Sequence, residues 1–254
     1  MVRSLCVSAV VVVTALAFGS GDAAAQNQSR CADCHFANPG SVSFSHLSEW
    51  DLSPHSRKGV GCETCHGGDP KSFEPFVAHK DILARTNPAS QVHRTNLPKT
   101  CGTCHTGPLV QFQRSKHFQL LRAGDKNGPT CTTCHGEAAG QRLSPKALEG
   151  QCASCHGAGK ISPHPENPAR GRLAAEGLRE TRALLKDVRG AIARVKDPAR
   201  RKSLEDAAQQ AEVPIIEATQ AVHAFVFDQL EERLGTARAR LTALFERVSN
   251  PDAR

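Results

Sequence analysis

The 254-residue sequence predicts a mostly α-helical and irregular fold with little or no β structure. It divides into a loop-rich region (26–165) and a C-terminal helical hairpin or bundle (166–254). Three observations carry this expectation. Aromatic residues are only 4% and hydrophobic residues 39%, too few for side chains alone to fill a core in the first region. Ten of the 11 Cys recur in one short pattern confined to that region. From about Pro168 the composition turns to Ala, Leu, Arg and Glu with helical periodicity.

The first 25 residues read as an export signal. Arg3 supplies the positive start, Leu5 to Phe18 form a short apolar stretch, and Ala23-Ala24-Ala25 is a small-residue cleavage site before Gln26. The stretch is short against the roughly 20 residues of a membrane helix. The expectation is a mature chain that is exported, soluble and periplasmic. Cys6 leaves with the signal.

The remaining Cys form five C-x-x-C pairs, each followed directly by His. They are Cys31/Cys34/His35, Cys62/Cys65/His66, Cys101/Cys104/His105, Cys131/Cys134/His135 and Cys152/Cys155/His156. This is the c-type haem attachment signature. Two thiols at this spacing reach the two vinyl groups of one porphyrin, and the adjacent imidazole is held under the ring to bind the iron. Disulfides need no following His, and zinc ribbons use CxxC units two at a time, which leaves a fifth unit unused. Five covalently bound haem c groups, each with its iron, are therefore expected. The region from 26 to 165 becomes a multihaem cytochrome c domain in which porphyrins supply the missing apolar bulk. Its motifs are irregularly spaced, so this is a reused signature and no solenoid. Short helices carrying the motifs, joined by Gly, Pro, Ser and Thr loops, are expected.

A six-coordinate haem needs a second axial ligand, usually His or Met. The one Met is Met1, so closed sites here must be bis-His. Seven His remain: His46, His55, His79, His93, His117, His164 and His223. His55 and His117 each follow a Ser by two residues and precede a haem motif, which suggests one unit used twice. His79 follows the Gly67-Gly68-Asp69-Pro70 turn. His46 and His93 are equal candidates, and His93 could replace His46. His164, between Pro163 and Pro165, reads as a solvated connector residue. The distal set is then His46, His55, His79, His117 and His223.

His223 heads an apolar seam through Phe227, Leu230, Leu234, Ala237, Leu241, Leu244 and Val248, stepping alternately by three and four residues. A first helix is expected over about 170–196, along Leu178, Leu185, Val188, Ile192 and Val195. Asp197-Pro198 starts a second, running to about 248 with a kink near Pro214. The seam offers a surface for the haem domain or for a second subunit, a homodimer through the C-terminal helices.

The net charge of +7 invites a nucleic-acid reading. It is spread over both regions, stacking aromatics are scarce, and haem propionates would offset much of it, so nucleic acid is excluded as a partner.

The run Trp50-x-x-Ser53-x-His55, Gly61-Cys62-Glu-Thr-Cys65-His66-Gly67-Gly68-Asp69-Pro70, His79 resembles exported multihaem cytochromes of the cytochrome c-554 and hydroxylamine-oxidoreductase-like superfamily. So do Phe112-x-x-Ser115-x-His117 with Cys131-x-x-Cys134-His135-Gly136, and the late His223-Ala224-Phe225. The resemblance implies that His55, His79 and His117 are distal ligands and that His223 is the ligand supplied by the C-terminal helices. The related pentahaem nitrite reductases carry a CxxCK motif and an active-site Tyr, and the hydroxylamine-oxidising members a Tyr crosslink. This chain has no CxxCK and no Tyr. The reading is an electron carrier with no catalytic residue of its own. It works between redox proteins: a membrane quinol oxidase, other cytochromes or a terminal reductase. The alternative is a reductase of a small nitrogen or sulfur species at one five-coordinate haem.

Overall fold

The computed structural model describes residues 29–38, 40, 42–138, 140–141, 143–162 and 164–250. The expected signal segment, 1–25, lies outside them. Among the described residues every regular element is a helix and no strand occurs, the mostly helical fold that the sequence predicts.

Ten short helices come first. They are α1 (Arg30–Ala37), α2 (Phe44–Asp51), α3 (Pro54–Arg57), α4 (Glu63–His66), α5 (Pro75–Ala78), α6 (Leu97–Gly102), α7 (Thr106–Gln113), α8 (Lys116–Arg122), α9 (Cys131–His135) and α10 (Pro145–Ala153). Helices this short are marginal in isolation, so local devices fix them. Buried Ser53 caps α3, accepting from the His55 and Ser56 amides, and buried Ser115 caps α8, accepting from the Phe118 amide. In both helices the N-cap Ser places a His at the second helical position, which gives structural content to the repeated Ser-x-His pattern. The Trp50 indole donates to the Val60 carbonyl at 3.0 Å, tying α2 to the strand-free loop before α4.

Three long helices follow: α11 (Asn167–Ile192), α12 (Pro198–Ala221) and α13 (Phe227–Ser249), with a 3₁₀ turn Val222–Ala224 between the last two. They pack as a three-helix bundle. One core cluster joins Leu185, Val188 and Ile192 of α11 to Leu204, Ala208 and Ile215 of α12 and to Leu241 and Leu244 of α13. A second, nearer the haem-motif region, gathers Ala174, Ala218, Phe227, Leu230 and Leu234. The seam of α13 from Phe227 to Leu244 is thus buried against its own chain. None of the described helices is long and apolar enough to cross a membrane.

The expected single helix from 198 to 248 with a kink near Pro214 needs correction. Pro214 lies buried inside α12, and the chain turns instead at 222–226. The proline leaves the Gln210 carbonyl without its intrahelical donor, and the Arg240 guanidinium on α13 reaches that oxygen at 3.4 Å. The actual break sits at Phe225, whose φ of +58° is left-handed. A helix cannot continue through that conformation.

The bundle meets the haem-motif region through α10, which packs on α11. Arg172 on α11 pairs with Glu149 on α10 at 3.2 Å. The 222–226 turn lies over α7.

Candidate functional site

Each CxxCH motif forms about one helical turn. The His amide bonds back to the carbonyl of the first Cys in the second, third and fifth motifs (His66 to Cys62, His105 to Cys101, His156 to Cys152, 2.8–2.9 Å), while α1 and α9 contain the others. A turn puts residues i, i+3 and i+4 on one side, so both thiols and the imidazole of each motif share a face. None of the ten thiols forms a disulfide.

The motifs follow one another in space as they do in sequence. Cys62 lies within electrostatic reach of Cys31, and Cys65 within reach of Cys101 and Cys104. Cys101 and Cys131 share a hydrogen bond, and Cys134 faces Cys152 and Cys155. Burial, followed by these neighbours, raises the Cys62 and Cys134 thiols to about 11.

Every motif His faces one further His. The ring centroids are 5.8 Å apart for His35 and His79, 6.0 Å for His66 and His46, and 6.0 Å for His105 and His55. They are 6.2 Å apart for His135 and His223 and 5.8 Å for His156 and His117. Of the other two candidates, His93 bonds to Thr95 and His164 pairs with Glu166. The pairing skips along the sequence: His79 turns back to the first motif, and His117 passes over the fourth to reach the fifth.

Several elements hold these rings. His79 caps α5, and its Nδ1–H donates to the Pro75 carbonyl at 2.8 Å. The turn before it requires glycine at 68, where φ is +86° and a Cβ would collide with the Ala78 carbonyl. Glu49 on α2 accepts from the Glu137 and Ala138 amides just after the fourth motif. The same short stretch gives its Ala138 carbonyl to His55 Nδ1 at 3.2 Å, and Glu137 stands 3.7 Å from His46 Nδ1. His135 Nδ1 faces the Gln141 carbonyl at 3.0 Å, and His223 Nδ1 faces the Gln220 carbonyl at 3.4 Å. A carbonyl only accepts, so the ring nitrogen facing it carries the proton, which leaves Nε2 free as a metal ligand.

This geometry passes a direct test of fit to an iron porphyrin. Metal–imidazole bonds are about 2.0–2.1 Å, so two rings facing one ion from opposite sides need centres on the order of 6 Å apart. All five pairs have that spacing. Burial and then the facing ring lower the imidazoles of His35, His66 and His223. His117 falls to about 4 for the same two reasons, burial and His156. Ligating imidazoles must be neutral, and these shifts run toward the neutral form. Among the described residues no group of three or more His, Cys, Asp or Glu could hold a bare metal ion; the donors come as opposed pairs.

Known proteins agree with the chemistry. A family model described as cytochrome c7 and related cytochrome c matches residues 86–157, and one described as cytochrome c554 and c-prime matches 13–67. Between them these spans contain all five motifs. The chain is 27% identical over 139 residues to the C-type polyheme cytochrome OmcC of Geobacter sulfurreducens, covering 54% of this chain and 15% of that one. It is 29% identical over 127 residues to OmcB of the same organism, covering 46% and 15%. It is 26% identical over 153 residues to the cytochrome c-type protein NrfB of Escherichia coli, covering 58% and 73%. The chain therefore spans only a small part of the length of the two Geobacter relatives. No solved structure matches. Motifs and relatives together make this chain a multihaem c-type cytochrome.

Proposed function

We propose that this multihaem c-type cytochrome binds five haem c groups, each closed by two His, and relays single electrons between redox proteins of the periplasm without turning over a substrate. The observation that carries the reading is the one-to-one pairing of the five motif His with five others. Cys31 and Cys34, Cys62 and Cys65, Cys101 and Cys104, Cys131 and Cys134, and Cys152 and Cys155 would attach the porphyrins. The ligand pairs would be His35/His79, His66/His46, His105/His55, His135/His223 and His156/His117. A bound haem supplies a one-electron Fe(III)/Fe(II) couple.

The chain's own residues do the rest. Burial disfavours the charged form of His35, His66, His117, His156 and His223, carbonyl acceptors orient His55, His79, His135 and His223, and the attachment motifs stand side by side in sequence order. That order would give a relay running from the first motif to the fifth. Opposed His at every motif leave no iron position for a small substrate, which favours the carrier over a reductase. The partners, and the chain's export to the periplasm, belong to this proposal.

Low-temperature EPR of the oxidised protein, with CO binding to the reduced form, tests it. All haems should be low-spin and none should bind CO rapidly. A five-coordinate high-spin haem in the native protein would overturn the carrier reading and favour the reductase. His223→Ala should convert one haem, the fourth, to high spin.

A further inference from the structure

The fifth pair differs from the other four. In each of those, at least one imidazole Nδ1 lies near an oxygen: His79 at Pro75, His46 at Glu137, His55 at Ala138, and both His135 and His223 at main-chain carbonyls. In the fifth, the Nδ1 atoms of both His117 and His156 are buried without a hydrogen-bond partner among the described residues. What His117 meets is Phe225, edge-on, with ring centroids 4.4 Å apart. Phe225 is also the residue held at φ +58°, immediately after the turn that carries His223. A non-glycine residue in that conformation is uncommon and costs energy, so the surrounding fold is holding it there.

A donated Nδ1–H makes an imidazole a stronger electron donor to its metal, which favours Fe(III) and lowers the reduction potential. An imidazole without an acceptor is the weaker donor. We infer that Phe225 is a positioning residue that packs His117 in apolar surroundings without an acceptor, so that the His117–His156 pair holds its iron at the highest reduction potential of the five. This rests on the bis-His assignment proposed above. With haems bound, the relay would be biased toward its last site: one electron would pass from a ferrous neighbour, oxidised to ferric, to the ferric iron that His117 and His156 would hold. No bond or proton moves in the step. Because the 222–226 turn supplies both His223 and Phe225, one segment of the bundle would govern the last two sites together.

Potentiometric titration of the haem-loaded protein, followed optically and by EPR, tests this with three variants. His117→Ala should create one high-spin haem and displace the highest-potential step of the native titration. Phe225→Asn suits the left-handed backbone and brings in a carbonyl acceptor. It should lower that step by about a tenfold change in its redox equilibrium constant, 59 mV for one electron, and leave the other four in place. Phe225→Leu, apolar and without an acceptor, should leave the step within a threefold change. If His117→Ala creates no high-spin haem, the ligand pairing itself fails. If it does, but a lower step is displaced, the pairing stands and the inference about potential falls. A highest step unmoved in a folded Phe225→Asn protein also overturns it.

Discussion

The two regions of this chain solve the problem of a core in opposite ways. Among the described residues, the bundle from Asn167 to Ser249 buries 17 hydrophobic side chains, and the longer haem-motif region buries only Ala32, Leu47, Trp50, Phe112 and Leu121. The same region leaves Phe44, Leu52, Phe73 and Phe76 more than half exposed. A side-chain core can stabilise the bundle directly, at about 25 cal/mol per Å² of apolar surface buried. The first region has capped short helices, tight glycine turns and paired imidazoles, but little that drives collapse. The difference fits the proposal that covalent cofactors take over from sequence hydrophobicity: the polypeptide would supply attachment points, and the porphyrins the apolar mass.

Perturbations should therefore act differently in the two regions. The largest effect is expected from Cys62→Ser combined with Cys65→Ser. Intact mass should show one haem fewer, and limited proteolysis should open the chain around 44–66 while leaving 167–249 resistant. Equal protection of both regions would break the comparison. Next, Leu241→Ala, at a fully buried position shared by all three bundle helices, should cost about 2–5 kcal/mol in bundle unfolding by denaturant. Its haem content and optical spectrum should not change. A smaller effect, roughly 1–3 kcal/mol of local stability, is expected from Gly68→Ala, which places a Cβ at a left-handed position against the Ala78 carbonyl. It should appear as faster amide exchange around α5 and as a disturbed EPR signal from the haem that His79 is proposed to close.

Much of this was legible in the sequence, for identifiable reasons. The CxxCH units are local chemistry, so they read directly. The helices of the bundle announce themselves by three-and-four spacing, and α13 buries the seam residues from Phe227 to Leu244 that the spacing picks out. The Ser-x-His pattern was visible at 53–55 and 115–117, and the structure explains it as an N-cap. What did not read was anything decided by tertiary contact. Pro214 looks like a break, yet Arg240 lies 30 residues away in sequence and relieves it. Phe225, the true break, carries no Gly or Pro signal, because its left-handed φ is imposed from outside. The partner of each motif His was equally hidden: nothing in linear spacing tells that His117 faces His156, or that His46 rather than His93 faces His66. The unpartnered Nδ1 atoms of the fifth pair could be found only in three dimensions.

The central claim is that the haem-motif region owes its core to the haems and the bundle does not. Amide hydrogen exchange on the chain produced with and without haem attachment tests it most directly. The account predicts that 167–249 is protected in both forms, and that 29–162 is protected only when the haems are attached. Native-like protection across 29–162 in the haem-free chain would contradict it.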